Sequence, residues 1–278
     1  MKLLFILLLF CSFTIQSQNL IVISYNLRYD NPNDGDNKWE FRKEFLSQQI
    51  QFYSPDIFGT QEGKLHQLEY LEAALNAYSY IGRGRDNSEN QGEFSAIFYK
   101  KEKFNVLEQA TFWLSENPNE VSKGWDANLE RICTYALFEN IKTKQKFYFF
   151  NTHFDHVGEK ARVNSASLIV EKINSINKQN YPVIFTGDLN SEQASRAYSY
   201  LLNHLNDSRL ICKSPPFGPE GTFNNFEFHK PVTTLIDYVF TSKKNIEVSK
   251  YAVLSDSKNC KYPSDHLPVY VELTFRID

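Results

Sequence analysis

Short apolar runs recur along the chain, separated by segments in which apolar residues return every three or four positions. The runs predict strands and the three- to four-residue spacing predicts helices. The predicted strands cover residues 20–27, 56–62, 94–99, 104–113, 132–138, 147–152, 183–188, 235–241, 246–254 and 269–275. The predicted helices cover residues 39–52, 65–75, 159–177 and 192–205. Strands that alternate with helices, with meander-like stretches between, favour two packed mixed sheets flanked by helices.

The first 17 residues follow a different pattern. Lys2 precedes an uninterrupted apolar run over residues 3–10, and a small residue, Ser17, follows it. This arrangement is typical of a secretory signal peptide, and the run is too short to span a membrane comfortably. Cys11 is a poor site for lipid attachment, because the bulky Phe10 precedes it where a small residue is expected. We therefore expect a signal peptide at residues 1–17, a secreted or periplasmic protein, and no stable membrane insertion or lipid anchor.

Composition and charge limit the remaining chain to a soluble globular class. The sequence has 278 residues, 42% hydrophobic and 23% charged, without a linker, a low-complexity tract or an internal repeat. One domain, residues 18–278, is the expected organisation, and we expect a monomer. The formal net charge is −3, whereas proteins that grip long nucleic acids usually present a basic surface. Cys133, Cys212 and Cys260 permit one disulfide at most and lack metal-ligand spacing.

Polar side chains stand where two of the apolar runs end. Asp188 and Asn190 close the run VIFTGDLN, and they share one face if this stretch is extended. Asp265 and His266 lie side by side in the segment YPSDHLP. Acids, amides and imidazoles from distant parts of a chain indicate hydrolysis assisted by a hard metal ion.

Other strand ends add further polar residues to this set. A lone glutamate after a strand is usually a helix N-terminal residue or a solvated charge, and a lone histidine is usually structural. Several such residues in one chain indicate a functional site more strongly than any one of them alone. The additional residues are Asn26, Gln61, Glu62, Glu93, His153 and Asp237. No GxSxG elbow, P-loop or HExxH pattern is present, so a serine nucleophile, a nucleotide-binding loop and a zinc-protease site are not indicated.

The motifs SYN, TQE, NTH, GDLN, IDY and SDH occur in this order across nearly the whole chain. In this the sequence resembles the endonuclease/exonuclease/phosphatase superfamily. That group includes deoxyribonucleases, abasic-site endonucleases, deadenylases, inositol-polyphosphate 5-phosphatases and bacterial neutral sphingomyelinases. The resemblance implies a four-layer α/β sandwich, with two mixed sheets packed face to face and helices outside.

The resemblance also implies a metal site and a water-activating group. Glu62 matches the carboxylate that binds Mg²⁺ directly, with Asn26 and Asp265 close to the metal; Mn²⁺ is the alternative ion. Asp188 matches the residue that orients or deprotonates the attacking water. Asn190 matches the neighbour that holds the phosphate.

Two histidines complete the implied machinery. His266 matches the imidazole that contacts the scissile phosphate and stabilises its developing charge, with Asp237 or Asp265 orienting the ring. His153 matches a second histidine that contacts the phosphate. Glu93 stands where the family often places a carboxylate that pairs with that histidine.

Three further residues are candidates for substrate contacts. Trp39 belongs to the polar segment 30–42, which we expect to form a rim loop around the substrate pocket. Arg85, in the GRGRD segment, is placed to bind a second anionic group. Arg131 is suited to stacking against a sugar or base.

The combined prediction is a secreted, metal-dependent phosphoesterase that cleaves a phosphodiester or a phosphomonoester. A phosphorylated lipid head group, sugar or nucleotide fits the acidic balance better than long nucleic acid. A secreted scavenging nuclease, acting on DNA or RNA, is the nearest alternative. A glycan-acting hydrolase and a non-catalytic binding module on the same scaffold stay open.

Overall fold

The structure is a computed structural model that describes residues 19–87 and 89–276. The predicted signal peptide and Cys11 lie outside the described residues. The strands are β1 (Leu20–Asn26), β2 (Ile57–Gln61), β3 (Tyr78–Ile81), β4 (Ile97–Lys100), β5 (Phe104–Trp113), β6 (Ile132–Asn140), β7 (Lys146–His153), β8 (Val183–Asp188), β9 (Leu205–Asp207), β10 (Asp237–Ser242), β11 (Ile246–Val253) and β12 (Val269–Phe275). The helices are α1 (Trp39–Tyr53), α2 (Leu65–Ala74), α3 (Glu159–Ile176), α4 (Arg196–His204) and α5 (Ser208–Ile211), with a 3₁₀ turn at Gly35–Asn37.

Two six-stranded mixed sheets form the centre of the molecule. The first sheet has the order β11-β12-β1-β2-β4-β3, and the second has the order β5-β6-β7-β8-β10-β9. In each sheet the central pair is parallel, β1 with β2 and β7 with β8, and the strands around it are antiparallel. The central strands of the two sheets face each other. The last residues of β1 and β8 therefore meet across the two sheets, where Asn26 bonds to Asp188.

Three clusters of buried apolar side chains hold these layers together. One cluster lies between the sheets and includes Val22, Ile57, Phe149 and Val239. The other two fill the outer faces: α3 and α4 cover the second sheet, and α1 and α2 cover the first. Strands buried on both faces read as continuous apolar runs, which is why the sequence pattern located them. The four-layer sandwich predicted from the sequence is confirmed.

The element boundaries differ from the predictions where strands are short or caps intervene. Strand β3 has four residues and β9 has three, and both lie at sheet edges, so neither produced an apolar run. Helix α4 begins later than predicted because Ser195 caps it, accepting a hydrogen bond from the backbone N–H of Tyr198. Strand β4 begins at Ile97, since Phe94 makes only isolated bridges. Cys133, Cys212 and Cys260 are free thiols. Among the described residues, no helix is long and apolar enough to cross a membrane.

A buried polar side chain joins the two sheets. The Asn151 amide on β7 donates to the carbonyls of Thr60 (2.8 Å) and Ala96 (2.9 Å) in the first sheet. Its oxygen accepts hydrogen bonds from Gln61 Nε2 (2.7 Å) and Thr186 Oγ1 (2.9 Å). These contacts use all four hydrogen-bonding positions of a primary amide, which also settles its orientation.

Gly59 makes this close approach possible. A Cβ atom at this position of β2 would lie 2.3 Å from Thr186 Oγ1 and 2.4 Å from Asn151 Oδ1. No side chain fits there without moving the opposite sheet. The separation of the sheets at this level is therefore set by backbone and amide groups rather than by apolar packing.

We expect the substitution Asn151→Leu to destabilise the fold by about 3 kcal/mol, because it replaces the amide with methyl groups and removes four buried hydrogen bonds. The measurement is the free energy of unfolding from urea titration. The matched control is Asn140→Leu, since Asn140 is also buried but bonds only to Lys142 and Thr143 within its own turn. The control should cost about 1 kcal/mol. Equal losses in the two variants would contradict a special role for the inter-sheet amide.

Candidate active site

The ends of the central strands bring the predicted polar residues to one place. β1 ends at Asn26, β7 at His153 and β8 at Asp188, and Glu62 follows the last residue of β2. The register pairs His153 with Asp188 across the parallel strands, and Asp237 at the start of β10 with the same Asp188. The site is thus assembled at the carboxyl ends of four strands from both sheets.

Several of these chain segments turn sharply just beyond their strands. Arg28 (φ 54°), Glu62 (φ 65°) and Asn190 (φ 44°) adopt left-handed backbone conformations that are uncommon for residues with a side chain. Such conformations cost free energy and occur often at functional sites. Here they turn the chain immediately after the strands that carry Asn26, Gln61 and Asp188.

Asp188 is the focus of the hydrogen-bond network. Its Oδ1 accepts the backbone N–H of Asn190 at 2.8 Å. Its Oδ2 lies 2.9 Å from Asn26 Nδ2, 3.4 Å from His153 Nε2 and 3.8 Å from His266 Nε2. One carboxylate oxygen is held by the backbone, and the other faces two imidazoles.

The second imidazole, His153, is neutral. Asn190 Nδ2 donates both to the carbonyl of Phe154 (3.0 Å) and to His153 Nε2 (2.9 Å). The ring nitrogen Nε2 therefore accepts, and the proton of the neutral ring lies on Nδ1. Burial, and then the charges of Arg131 and Arg85, lower the pKa of His153 well below its usual value. Nδ1 has no hydrogen-bond partner among the described residues.

His266 has the opposite electrostatic character. Its Nδ1 lies 2.8 Å from Asp237 Oδ2, which also accepts a hydrogen bond from Thr222 Oγ1 at 2.6 Å. Burial opposes a charged ring, but the Asp237 carboxylate, with Asp188 and Asp265, outweighs it and raises the pKa of His266 well above its usual value. The site holds one imidazolium and one neutral imidazole on either side of Asp188.

The same burial acts on the acids. Burial, followed by the charge of Asp237, raises the pKa of Asp188 to about 7. A carboxyl group with this pKa accepts a proton from water much more readily than an ordinary aspartate. The pairing of a weakly acidic carboxyl with a retained imidazolium is the arrangement that acid–base catalysis requires.

Two further carboxylates, Glu62 and Asp265, line the same cleft and are candidate ligands for a hard metal ion. Burial raises the pKa of Asp265 to about 6, His266 opposes this rise, and the charge of Glu62 adds to it. The two carboxylates are therefore close enough to repel each other, and a cation between them would remove that repulsion. Oxygen donors of this kind are the ligands that Mg²⁺ prefers.

The structure places Asn26 beside Glu62, as expected. Its Nδ2 donates to Glu62 Oε1 (3.2 Å) as well as to Asp188, and its Oδ1 accepts the backbone N–H of Arg28 (2.9 Å). The Nδ2 group thus links the two carboxylates, and Oδ1 keeps a second lone pair. Asn26 connects Glu62 to Asp188, and its place close to a metal stays a prediction.

A second group of possible metal ligands consists of Asp188, Asp237 and His266, whose nearest donor atoms lie within 4.8 Å of one another. Asp237 Oδ2 accepts hydrogen bonds from His266 and Thr222, whereas its Oδ1 has no hydrogen-bond partner among the described residues. We interpret this group as a hydrogen-bonded relay. The pair Glu62 and Asp265 is the better match to a resident divalent cation.

Sequence reasoning missed two arginines that hold the first-sheet side of the site. Arg28 forms a bidentate pair with Asp34 (2.8 and 2.9 Å) and lies 3.5 Å from Asp265. The buried guanidinium of Arg42 donates to the carbonyls of Leu27, Arg28 and Asn37 and to that of Pro263 (3.2 Å). Arg42 thus ties the segment after β1 to the segment that carries Asp265 and His266. No residue pattern signalled this, because its partners are main-chain carbonyls.

The site opens into a cleft with a volume of about 690 Å³. Acids, imidazoles and arginines line it together. The cleft is lined by Arg28, Tyr29, Glu62, Lys64, Arg85, Asp86, Gly92, Glu93, Asn128, Leu129, Arg131, His153, His156, Asp188, Asn190, Phe223, Asn225, Ile236, Asp265 and His266. The structure therefore places every predicted site residue on this cleft or beside it, except one.

That exception is Trp39, and the prediction that it lines the substrate pocket is wrong. Its side chain is 4% exposed and belongs to the core cluster under α1 and α2. It packs edge-on against Tyr70 and beneath the Arg42 guanidinium. As the first residue of α1, it points into the core because the helix must bury its apolar face.

Glu93 has a different partner from the one expected. Its carboxylate forms a bidentate pair with Arg85, at 2.7 and 3.1 Å, and not a hydrogen bond with His153. The isolated bridge between Gly84 and Phe94 puts the two side chains next to each other. Burial, and then the charge of Glu62, raises the pKa of Glu93 to about 7. Glu93 is a support for Arg85.

Arg131 is held in a similar way by residues that the sequence did not single out. Its Nε lies 3.5 Å from Asp155 Oδ2, and its Nη2 donates to His156 Nδ1 at 3.0 Å. Burial opposes the charge of Asp155, but backbone N–H groups of Gly158 and its neighbours, together with Arg131, lower its pKa to about 2. Asp155 is a permanently charged anchor.

Comparison with known proteins gives one family and close structural relatives. The model of the Endonuclease/Exonuclease/phosphatase family matches residues 23–266. A crystal structure of a family protein from Bacteroides thetaiotaomicron is 43% identical, covers 94% of this chain and 97% of its own, and superposes with a TM-score of 0.91. A mannosyl-6-phosphatase of the same organism is 43% identical, covers 92% of this chain and 100% of its own, and has a TM-score of 0.89.

More distant relatives are longer than this chain. The exoribonuclease subunit Ccr4 of Debaryomyces hansenii is 21% identical over 86% of this chain. The chain spans 36% of the length of that protein, so only part of Ccr4 has a counterpart here.

We expect Asp237→Asn to lower the pKa of His266, because it removes the charge that outweighs the cost of burying the imidazolium. In the wild-type protein the raised folded-state pKa adds stability that is complete below the usual histidine pKa and is lost as the pH rises through the folded-state value. In the variant this ring should lose its charge at lower pH. NMR titration of the His266 ring protons measures the change. The control is Asp207→Asn, a buried carboxylate bonded to Tyr198 and remote from His266, which should leave the titration unchanged.

Proposed function

The chain belongs to the endonuclease/exonuclease/phosphatase family, and from this premise we propose that it is a divalent-metal-dependent hydrolase of phosphoesters. The supporting observation is the position of Asp188 Oδ2, which faces His153 and His266 while Asn26 connects it to Glu62. Water activation, charge stabilisation and a place for a cation thus lie side by side. This is the set that in-line attack of water on a phosphate ester needs.

Each side chain has a separate role in the proposed reaction. Asp188 orients the attacking water and accepts its proton, and its raised pKa suits it to do so at neutral pH. His266, kept as an imidazolium by Asp237, donates toward the oxygens on which negative charge develops. Asn190 holds His153 in place at the far side of the phosphoryl group. Mg²⁺ or Mn²⁺ bound at Glu62 and Asp265 would supply Lewis-acid neutralisation of the phosphoryl oxygens.

The substrate class that we favour is a small phosphorylated molecule, a phosphorylated sugar above all. One relative that is 43% identical and matches over its whole length is a mannosyl-6-phosphatase. The formal net charge of −3 gives little general attraction for a polyanion. A phosphorylated lipid head group or a nucleotide has the same reacting group and is the next candidate.

A scavenging nuclease is the second candidate function. The observation in its favour is the similarity to Ccr4, an exoribonuclease subunit, over most of this chain. Its identity of 21% is far lower than that of the phosphatase relative. The described cleft offers few cations outside the buried arginines, so a long nucleic-acid backbone would gain little from it.

The two remaining alternatives have less support. A non-catalytic binding module would not retain a buried, hydrogen-bonded Asp188, Asp237 and His266, whose burial costs stability unless it is used. Glycoside cleavage needs two carboxylates across one bond, whereas the two imidazoles here match a phosphoryl group better. Export through a signal peptide at residues 1–17 is part of the proposal.

We expect Asp188→Asn to lower kcat by about 10³-fold, because an amide of the same shape cannot take a proton from water. Hydrolysis of p-nitrophenyl phosphate in the presence of Mg²⁺ measures the loss, and an unchanged melting temperature shows that the fold is intact. The control Asp207→Asn should keep wild-type turnover. Near-normal turnover by Asp188→Asn would disprove the assigned role.

We expect metal removal to stop turnover and added Mg²⁺ or Mn²⁺ to restore it. Dialysis against EDTA followed by titration of each ion gives the concentration for half-maximal rate. In Glu62→Gln that concentration should rise roughly 10- to 100-fold, the usual effect of weakening a metal site. Activity that survives complete chelation would rule out a metal-dependent reaction.

A further inference from the structure

Arg85 and Arg131 line the same cleft as Asp188, His153 and His266. Their charges act on His153, since both lower the pKa of its imidazole. Arg131 immediately precedes β6, and the pairing of Cys133 with Thr152 puts it beside the end of β7 that carries His153. The arginines therefore continue the row of side chains that would contact a bound phosphoryl group.

Both guanidinium groups are held on one side and are almost completely buried, at 9% exposure for Arg85 and 4% for Arg131. Glu93 binds the Nη1 and Nη2 atoms of Arg85, and Asp155 and His156 bind Nε and Nη2 of Arg131. Their conformations are thus set before any ligand arrives. Preorganised guanidinium groups lose little freedom on binding an oxyanion.

Two donors in this pair have no hydrogen-bond partner among the described residues. They are Arg131 Nη1 and Arg85 Nε, both buried, and Arg85 Nε lies 3.5 Å from Asp86 Oδ1. A buried N–H without a partner costs free energy, so its persistence points to a ligand that completes it. The charge of Arg85, after burial, also lowers the pKa of Arg131. An anion between them would remove that repulsion.

The chemistry of the ligand follows from the number of acceptors. A phosphomonoester has three terminal oxygens and close to two negative charges at neutral pH. A phosphodiester has two terminal oxygens and one charge, because its third oxygen is esterified and neutral. His266 and the metal side of the cleft can serve two oxygens. A buried guanidinium beyond His153 is the donor that a third, charged oxygen requires.

We propose that Arg131, supported by Arg85, binds the third terminal oxygen of the substrate phosphate, so that the protein selects phosphomonoesters over phosphodiesters. This inference rests on the proposed phosphoesterase function and specifies its substrate class. Glu93 and Asp155 act as positioning residues for the two arginines. Trp113 adds to this support, since its Nε1 donates to the backbone carbonyl of Arg85 at 2.9 Å.

The test compares p-nitrophenyl phosphate with bis-p-nitrophenyl phosphate, using the full chain with Mg²⁺. Wild-type protein should have the higher kcat/KM for the monoester. In Arg131→Gln the ratio of monoester to diester kcat/KM should fall roughly 30- to 100-fold, the range expected for a lost hydrogen bond to a charged group. Arg131→Lys should recover part of the ratio, because it restores the charge without the planar fork. The matched control is Arg83→Gln, in the same GRGRD segment but outside the cleft lining, and it should leave both rates unchanged.

Binding of inorganic phosphate provides a second measurement that does not depend on turnover. The phosphate-induced rise in melting temperature should be clear for wild type and much smaller for Arg131→Gln and Arg85→Gln. Equal losses on both esters, or unchanged phosphate binding, would overturn the inference while leaving the phosphoesterase function in place. A wild-type preference for the diester would do the same. Wild-type protein that cleaves neither ester would contradict the proposed function, and phosphate binding would still decide the role of Arg131.

Discussion

The amide of Asn151 is the contact on which the rest of the site depends. It joins the backbone of one sheet to side chains of the other at a level where Gly59 leaves no room for any other group. Each catalytic strand end lies only a residue or two further along the chain. His153 follows Asn151 by two positions, and Asp188 follows Thr186 by two. Because strand residues two apart share a face, the amide fixes the distance across which Asp188 and Asn26 meet.

Burial then determines the chemistry of the side chains that meet there. The same low-polarity surroundings raise the pKa of Asp188 and would remove the charge of His266, were it not for Asp237. His153 has no such carboxylate partner at Nδ1 and is neutral. Burial disfavours the charged form of all three side chains, with three different results. The pKa of Asp188 is raised, His266 keeps its charge beside Asp237, and the pKa of His153 is lowered. The difference between them lies entirely in their hydrogen-bond partners.

Hydrogen bonds to main-chain carbonyls hold the loops around the site in place. Arg42 has no carboxylate partner among the described residues, and it donates instead to backbone oxygens on both sides of the site. Ser264 Oγ donates to the carbonyl of Asn26 and reinforces the same connection. The Asp265 segment is consequently attached to β1, although the two are far apart in sequence. A buried cation used in this way orders loops that no apolar contact could hold, since such loops expose their backbone polar groups.

The local sequence determined most of the strands, the layered fold and most of the polar residues that gather at the cleft. Short continuous apolar runs are typical of strands buried on both faces, and polar residues at the ends of such strands come near one another when the strands pair. The edge strands β3 and β9 were not predicted, because strands of four and three residues are too short to leave a periodic signal. Tertiary structure alone decided the partnerships. Glu93 meets Arg85 rather than His153, and Trp39 enters the core instead of the cleft, because pairing and burial depend on residues distant in sequence that only folding brings into contact.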